Sequence, residues 1–147
     1  MARGLPWSEN FAVGQAELDA QHRRLVELIN EIDRTIHCQK DLGKLPALLK
    51  TLREETEEHI RHENALLWEI KSGAFAPLQG RSQTPHYLKS LADAAFDDHM
   101  AEHATLLARF DAIVVGPIQS LCDPLKAWFV DHAIKHDSHL KTIFQAL

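Results

Sequence analysis

Residues 45–72 read LPALLKTLREETEEHIRHENALLWEIKS, and this stretch decides the fold. Leu48, Leu49, Leu52, Thr56, His59, Leu66, Trp68 and Ile70 recur at short steps that line or approach one side of a helix. Pro46 suits a first turn, where its missing N–H has no helical partner to lose. Gly73 is a good stop, because glycine adopts the left-handed conformation that ends helices. The spacing predicts a helix over 45–72. Two of its residues four apart, His59 and Glu63, share a face.

Working outward, three more segments carry the helical period. Leu18, Leu25, Leu28, Ile29, Ile32 and Ile36 fall on one face between Glu17 and His37. A third segment runs from Pro85 to Val115 and stops at Gly116-Pro117. The fourth runs from Pro117 to Phe144. No stretch alternates as a strand would, so the fold class is all-α. Mostly short joins favour an antiparallel up-down four-helix bundle. The join over residues 73–84 is the exception, rich in Gly, Pro and polar residues, and reads as a long loop. Residues 1–16, with Pro6, Trp7 and Gly14, read as an extended N-terminal arm.

Composition narrows the function. The 147 residues are 45% hydrophobic and 25% charged, enough for one domain with a real core. A net charge of −5 and the lack of a basic stripe argue against nucleic acid or an anionic membrane as partner. No apolar run approaches a membrane span, and the N-terminus lacks a signal peptide's apolar core, so a cytoplasmic location is expected. Cys38 and Cys122 match no metal-ligand spacing. They read as two small buried residues in a reducing compartment.

Ten histidines against one tyrosine is the odd number, since histidine is the commonest metal ligand. His59 and Glu63 pair on the second helix, and His99 and His103 pair four apart on the third. His132 and Asp137 lie five apart on the fourth, and His22 lies near the start of the first. Each helix thus offers at least one ligand-type residue, and inward side chains from facing helices are how bundles build metal sites. Neutral imidazoles suit a borderline metal such as iron, and carboxylates can bridge two cations. Five imidazoles and two carboxylates offset only part of two divalent charges, which leaves room for a bridging oxo or hydroxo group.

These residues carry a resemblance. Trp7, Phe11-Ala-Val-Gly14, Leu18-Asp19-x-x-His22, His59-x-x-x-Glu63, His99-x-x-x-His103 and His132-x4-Asp137 after Trp128 together resemble the hemerythrin family, in particular its single-domain bacterial members. The resemblance covers the chain apart from the middle loop and implies one di-iron domain over 1–147. It implies that His99, His103 and His132 ligate one iron, that His22 and His59 ligate the other, and that Glu63 and Asp137 bridge. Oxygen would bind at the vacant position of the second iron, with Trp128 helping to wall the pocket.

The chain departs from the family pattern at Ala133, Ile60 and Phe129, all beside that oxygen pocket. A small Ala133 either opens the pocket and hastens autoxidation, or leaves space that Phe129 fills. The connection from Glu63 to His99 is longer than usual in the family and reads as a neutral surface insertion. His62 reads as a surface residue, His136 and His139 as surface residues or as outer supports of the ligands they flank, His37 as a cation at a helix C-terminus, and His86 and Tyr87 as having no role. The run Glu54, Glu55, Glu57 and Glu58 reads as a solvated face.

The leading expectation is reversible binding of O2, for transport or storage, with no enzymatic activity. The alternatives are an O2 or redox sensor acting on a partner protein, and a di-iron peroxidase or nitric-oxide-handling protein. The chain starts at methionine and ends with the fourth helix, which favours a free carrier unless it is a piece of a longer protein. The ferritin-like oxidases use Glu-x-x-His pairs and more carboxylates, which disfavours oxidase chemistry here.

Overall fold

The computed structural model describes residues 4–38, 40–72 and 86–146, with side chains described for all of these except 86–89, 138, 139 and 146. The expected loop over 73–84, and the side chains of His86, Tyr87 and His139, lie outside that description. The described residues are helical with no strand. The helices are α1 (Ala16–Cys38), α2 (Leu45–Ser72), α3 (His86–Val114), α4 (Cys122–Asp131) and α5 (Ser138–Ala146). Helix α2 packs on α1 and on α3, and α4 reaches both α1 and α3. None of these helices is long and apolar enough to cross a membrane.

Each long helix buries one stripe. On α1 it runs through Leu18, His22, Leu25, Ile29, Ile32 and Ile36; on α2 it runs through Leu45, Leu52, Thr56, His59, Glu63, Leu67 and Ile70. The apolar members form two separate cores. One gathers Leu25, Ile29, Ile32, Leu52, Phe110, Leu125 and Trp128 toward the α4 side. The other gathers Leu18, Leu67, Ile70, Ala95, Leu140 and Ile143 beside α5. A layer of buried polar residues lies on the same stripes between them. Each fully buried leucine or isoleucine in the two cores contributes about 1.5–3 kcal/mol, so those cores hold the fold and the polar layer must justify itself otherwise.

Two expectations need correcting. Trp68 is 57% exposed rather than inward. It sits about 100° round the helix from Leu67, which is fully buried. Its ring instead stands near Phe96, 6.0 Å away. The fourth segment is not one helix over 117–144. A 3-10 turn (Ile118–Ser120) precedes α4, and a π turn (His132–His136) separates α4 from α5.

The N-terminal arm is tied down along its length. Leu5 and Asn30 exchange two hydrogen bonds, of 2.5 and 2.9 Å. The Arg23 guanidinium covers the Trp7 ring at 4.1 Å. Val13 and Gly14 donate their N–H groups to the Asp19 carboxylate. Gly14 has φ +86°, a left-handed conformation that a side chain would resist. This turn delivers Phe11, in a short 3-10 turn (Glu9–Phe11), against the first turns of α1.

Candidate metal centre

The polar layer contains all seven ligand-type residues singled out above. His22, His59, Glu63, His99 and Asp137 are fully buried, and His103 and His132 nearly so. Their inner atoms converge. His22 Nε2 lies 2.7 Å and His132 Nε2 2.9 Å from Asp137 Oδ2, while His99 Nε2 lies 2.9 Å from Asp137 Oδ1. Around Glu63, Oε1 is 2.7 Å from His59 Nε2, 3.2 Å from His132 Nε2 and 3.7 Å from His103 Nε2. The donors of His22, His59, His132 and Asp137 all lie within 4.8 Å of one another, as do those of Glu63, His99 and His103. His132 also falls within that distance of His103, so it stands between the two groups.

The π turn explains how His132 and Asp137 meet. At about 100° per residue, side chains five apart on a regular helix point about 140° away from each other. A π turn, which bonds residue i to i+5, removes that offset. Asp137 N–H donates to the His132 carbonyl at 3.0 Å, the bond that defines such a turn.

The outer ring nitrogens decide which nitrogen faces inward. His22 Nδ1–H donates to the Phe11 carbonyl at 2.6 Å, and His99 Nδ1–H donates to the Ala95 carbonyl at 2.9 Å. A carbonyl can only accept, so in both rings the proton is on Nδ1 and Nε2 is left for the centre. His59 Nδ1–H donates to Gln21 Oε1 at 2.7 Å, and His132 Nδ1–H to Glu102 Oε2 at 3.0 Å. Metal-bound histidines are held by such outer partners as a rule.

That arrangement suits cations and little else. His22 Nε2 and His59 Nε2 face each other at 3.1 Å, where two lone pairs would repel. Both ring nitrogens of His103 and Oε2 of Glu63 are buried without a hydrogen-bond partner. Orphaned buried polar atoms of this kind are rare and costly, and a coordinated ion would satisfy the donors aimed at the centre. With no metal, protons take that place. Burial opposes charge on His59 and His99, yet Glu63 and Asp137 hold them up at about 9 and about 10. His132 is raised well above its ordinary value by Asp137, against the effect of burial. Asp137 is held well below the usual carboxylate range, its surrounding imidazoles outweighing burial.

The residues expected to flank an oxygen pocket are all buried: Trp128, Phe129 and Ala133 at 1% exposure and Ile60 at 7%. Phe129 stands edge-on to the His22 ring at 5.6 Å and to Phe11 at 5.2 Å. Trp128 donates its indole N–H to the Leu106 carbonyl and packs on Phe110.

Sequence reading missed several contributors. Gln21 and Glu102 hold ligand histidines and were not singled out. Glu102 lies three residues after His99 and one before His103, so helical spacing alone puts it near the site. His62 is not simply a surface residue, since its Nδ1 lies 3.0 Å from Gln21 Nε2 and its Nε2 lies 3.1 Å from the Glu17 carboxylate. His136 takes the outer-support alternative: it is half-buried, with Asp98 at 3.0 Å and Glu102 at 3.8 Å. His37 meets the buried Asp33. The acidic run is solvated as expected and engages nearby basic residues, including Arg24 with Glu55 and Lys50 with Glu54.

Compared with known proteins, residues 13–144 match the family model described as the hemerythrin HHE cation binding domain. No curated protein and no solved structure matches the chain. The matched span takes in α1 to α4, most of α5 and all seven inward-facing ligand residues, so a buried cluster suited to cations and a cation-binding family model coincide, and the chain belongs to the hemerythrin family.

Proposed function

We propose that this chain is an oxygen-binding protein that holds two iron ions in its polar layer. In this reading His99, His103 and His132 hold one ion, His22 and His59 hold the other, and Glu63 and Asp137 bridge them, with an oxo or hydroxo group completing the charge balance. The helices form an antiparallel four-helix bundle, with α4 and α5 as the fourth rod. Arg53 in the first half of α2 bonds Asp111 near the end of α3, and Lys71 at the end of α2 meets Asp93 near the start of α3, as antiparallel neighbours would.

One observation carries the reading: a buried set of five imidazoles, more numerous than the two carboxylates among them, with Nε2 turned inward and Nδ1 held by an outer acceptor in His22, His59, His99 and His132. That donor set suits a borderline transition metal better than magnesium or calcium, which take oxygen ligands. When bound, an iron pair supplies redox chemistry able to take up and release O2. The protein's own part is to fix four ring orientations by hydrogen bonds, those of His22, His59, His99 and His132, and to keep water out with Ile60, Phe129 and Ala133, all buried. Phe129 packs on Phe11 and His22, which favours the reading in which it fills the space beside Ala133. The ligand is O2 or another small diatomic or anionic species, the protein is not an enzyme, and no nucleic acid or membrane partner is involved. A cytoplasmic location belongs to the same reading.

The test is to reduce the protein without air, quantify iron per chain, admit O2 and record the visible spectrum. A charge-transfer band that appears with O2 and disappears when it is removed is expected. Direct oxidation without a trapped adduct sinks the carrier and favours a sensor or peroxidase. A chain that takes up no iron sinks all of these.

A further inference from the structure

A second group of donors lies eleven residues along α1 from His22, about 16 Å at 1.5 Å per residue. Asp33 is 1% exposed; its buried Oδ1 lacks a regular hydrogen bond, and the weakly donating Cys122 thiol bonds this carboxylate. His37 Nδ1 stands 2.8 Å from that oxygen, but it bonds the Asp33 main-chain carbonyl at 3.0 Å. Across the helix pair, Cys122 opens α4, and one donor atom each from Asp33, His37 and Cys122 lies within 4.8 Å of the others. The other carboxylate oxygen, Oδ2, is already taken by Lys126 Nζ at 3.2 Å. His37 and Cys122 also border a cleft of about 380 Å³ with Gln119, Ser120 and Asp123.

We infer that Asp33, His37 and Cys122 form a separate, single-ion site for a zinc-class divalent cation. Thiolate, imidazole and carboxylate are the three ligand types that zinc accepts, and three protein ligands with an open fourth position is a known zinc arrangement. The fourth position faces the cleft, where water or Asp123 completes it. The charges close: the ion meets one carboxylate and one thiolate, while Lys126 keeps its contact with the other carboxylate oxygen. Burial and the neighbouring Asp33 push the free Cys122 thiol up to about 12, so the ion must displace the S–H proton to solvent, and binding tightens as pH rises. The site ties the last turn of α1 to the first turn of α4, away from the polar layer and independent of what that layer binds.

Cobalt(II) tests it, because a sulfur-to-cobalt charge-transfer band in the near ultraviolet reports a thiolate ligand and the main centre contains no cysteine. The protein, its main centre already metal-loaded, is titrated with Co2+. One sulfur-ligated ion per chain is expected. Cys122→Ser should abolish the band, and His37→Ala, at a half-exposed side chain, should weaken binding at least tenfold. Cys38→Ser should leave it unchanged. Failure of the band to appear, its survival in Cys122→Ser, or its loss in Cys38→Ser with Cys122 intact would each overturn the site. Should Cys122→Ser misfold, the His37→Ala titration decides alone, and unchanged affinity there refutes it.

Discussion

Asp137 and Asp33 are both buried carboxylates in the same bundle, but they are neutralised differently. Asp33 has a permanent counterion, Lys126, whose side chain is 21% exposed and so partly hydrated. Asp137 has no lysine or arginine beside it among the described residues; its neighbours are the imidazoles of His22, His59, His99 and His132. Imidazole can carry a proton or yield it to a metal ion, whereas an ammonium at neutral pH cannot step aside. Lys126 ties up one oxygen of Asp33 and leaves only the other, beside His37, to meet an ion. Exchangeable neighbours on both oxygens let Asp137 serve two ions at once.

The sharpest attack on this contrast is Asp137→Ala. It is expected to lower metal content from two ions per chain to one or none, read by elemental analysis after dialysis, and to abolish the gain in Tm that metal gives the wild type. Full metal content in this variant would mean that Asp137 holds neither ion of the polar layer.

Next in size is the effect of pH on metal-stripped protein. His59 and His99 are raised from 6.5 to about 9 and about 10. A raised folded-state value means that the protonated rings stabilise the fold fully below about pH 6.5, and that this contribution fades as pH climbs through 9 and 10. The Tm of stripped protein should therefore fall between pH 6.5 and 10, while that of loaded protein, with metal in place of protons, should fall much less. Parallel calorimetric profiles for the two forms would contradict the exchange of protons for metal.

A smaller effect is expected one shell out. Glu102→Ala removes the acceptor of His132 Nδ1–H and should weaken metal binding about 10- to 100-fold in a competition titration against a chelator, with the ligands untouched. An unchanged affinity would show that packing alone orients His132. The smallest effect belongs to Asp33→Asn, which should cost about 1–3 kcal/mol in chemical denaturation, because Lys126 can turn to water. The loss should be the same with the main centre loaded or empty. A loss that depends on that centre would merge the two carboxylates into one system.

The seven inward residues were legible because ligand spacing on a helix is also periodicity. His59 with Glu63 and His99 with His103 are one turn apart, and each lies on its helix's buried stripe. His132 and Asp137 were legible as residue types but not as geometry. Five residues fit no regular helical face, and the π turn that reconciles them leaves no mark in composition. Glu102 and Gln21 were hidden for a different reason. Each is a polar residue beside a ligand in a helix rich in polar residues; spacing places Glu102 near the site, but only three-dimensional packing shows that it is buried and which ring it holds. Trp68 misled in the opposite direction, since it counts among the residues recurring toward one side while Leu66, Leu67 and Ile70 already filled the inward stripe. Cys38, read as buried, is exposed, whereas Cys122 is buried as expected.

The outer partners of the imidazoles divide into two kinds, and this bears on how such a protein can diverge. His22 and His99 lean on the main-chain carbonyls of Phe11 and Ala95, which no point mutation deletes. His59 and His132 lean on the side chains of Gln21 and Glu102, which a single codon can alter. Lineages can therefore retune two of the rings while every ligand stays in place, and the other two resist drift for as long as the backbone keeps its course.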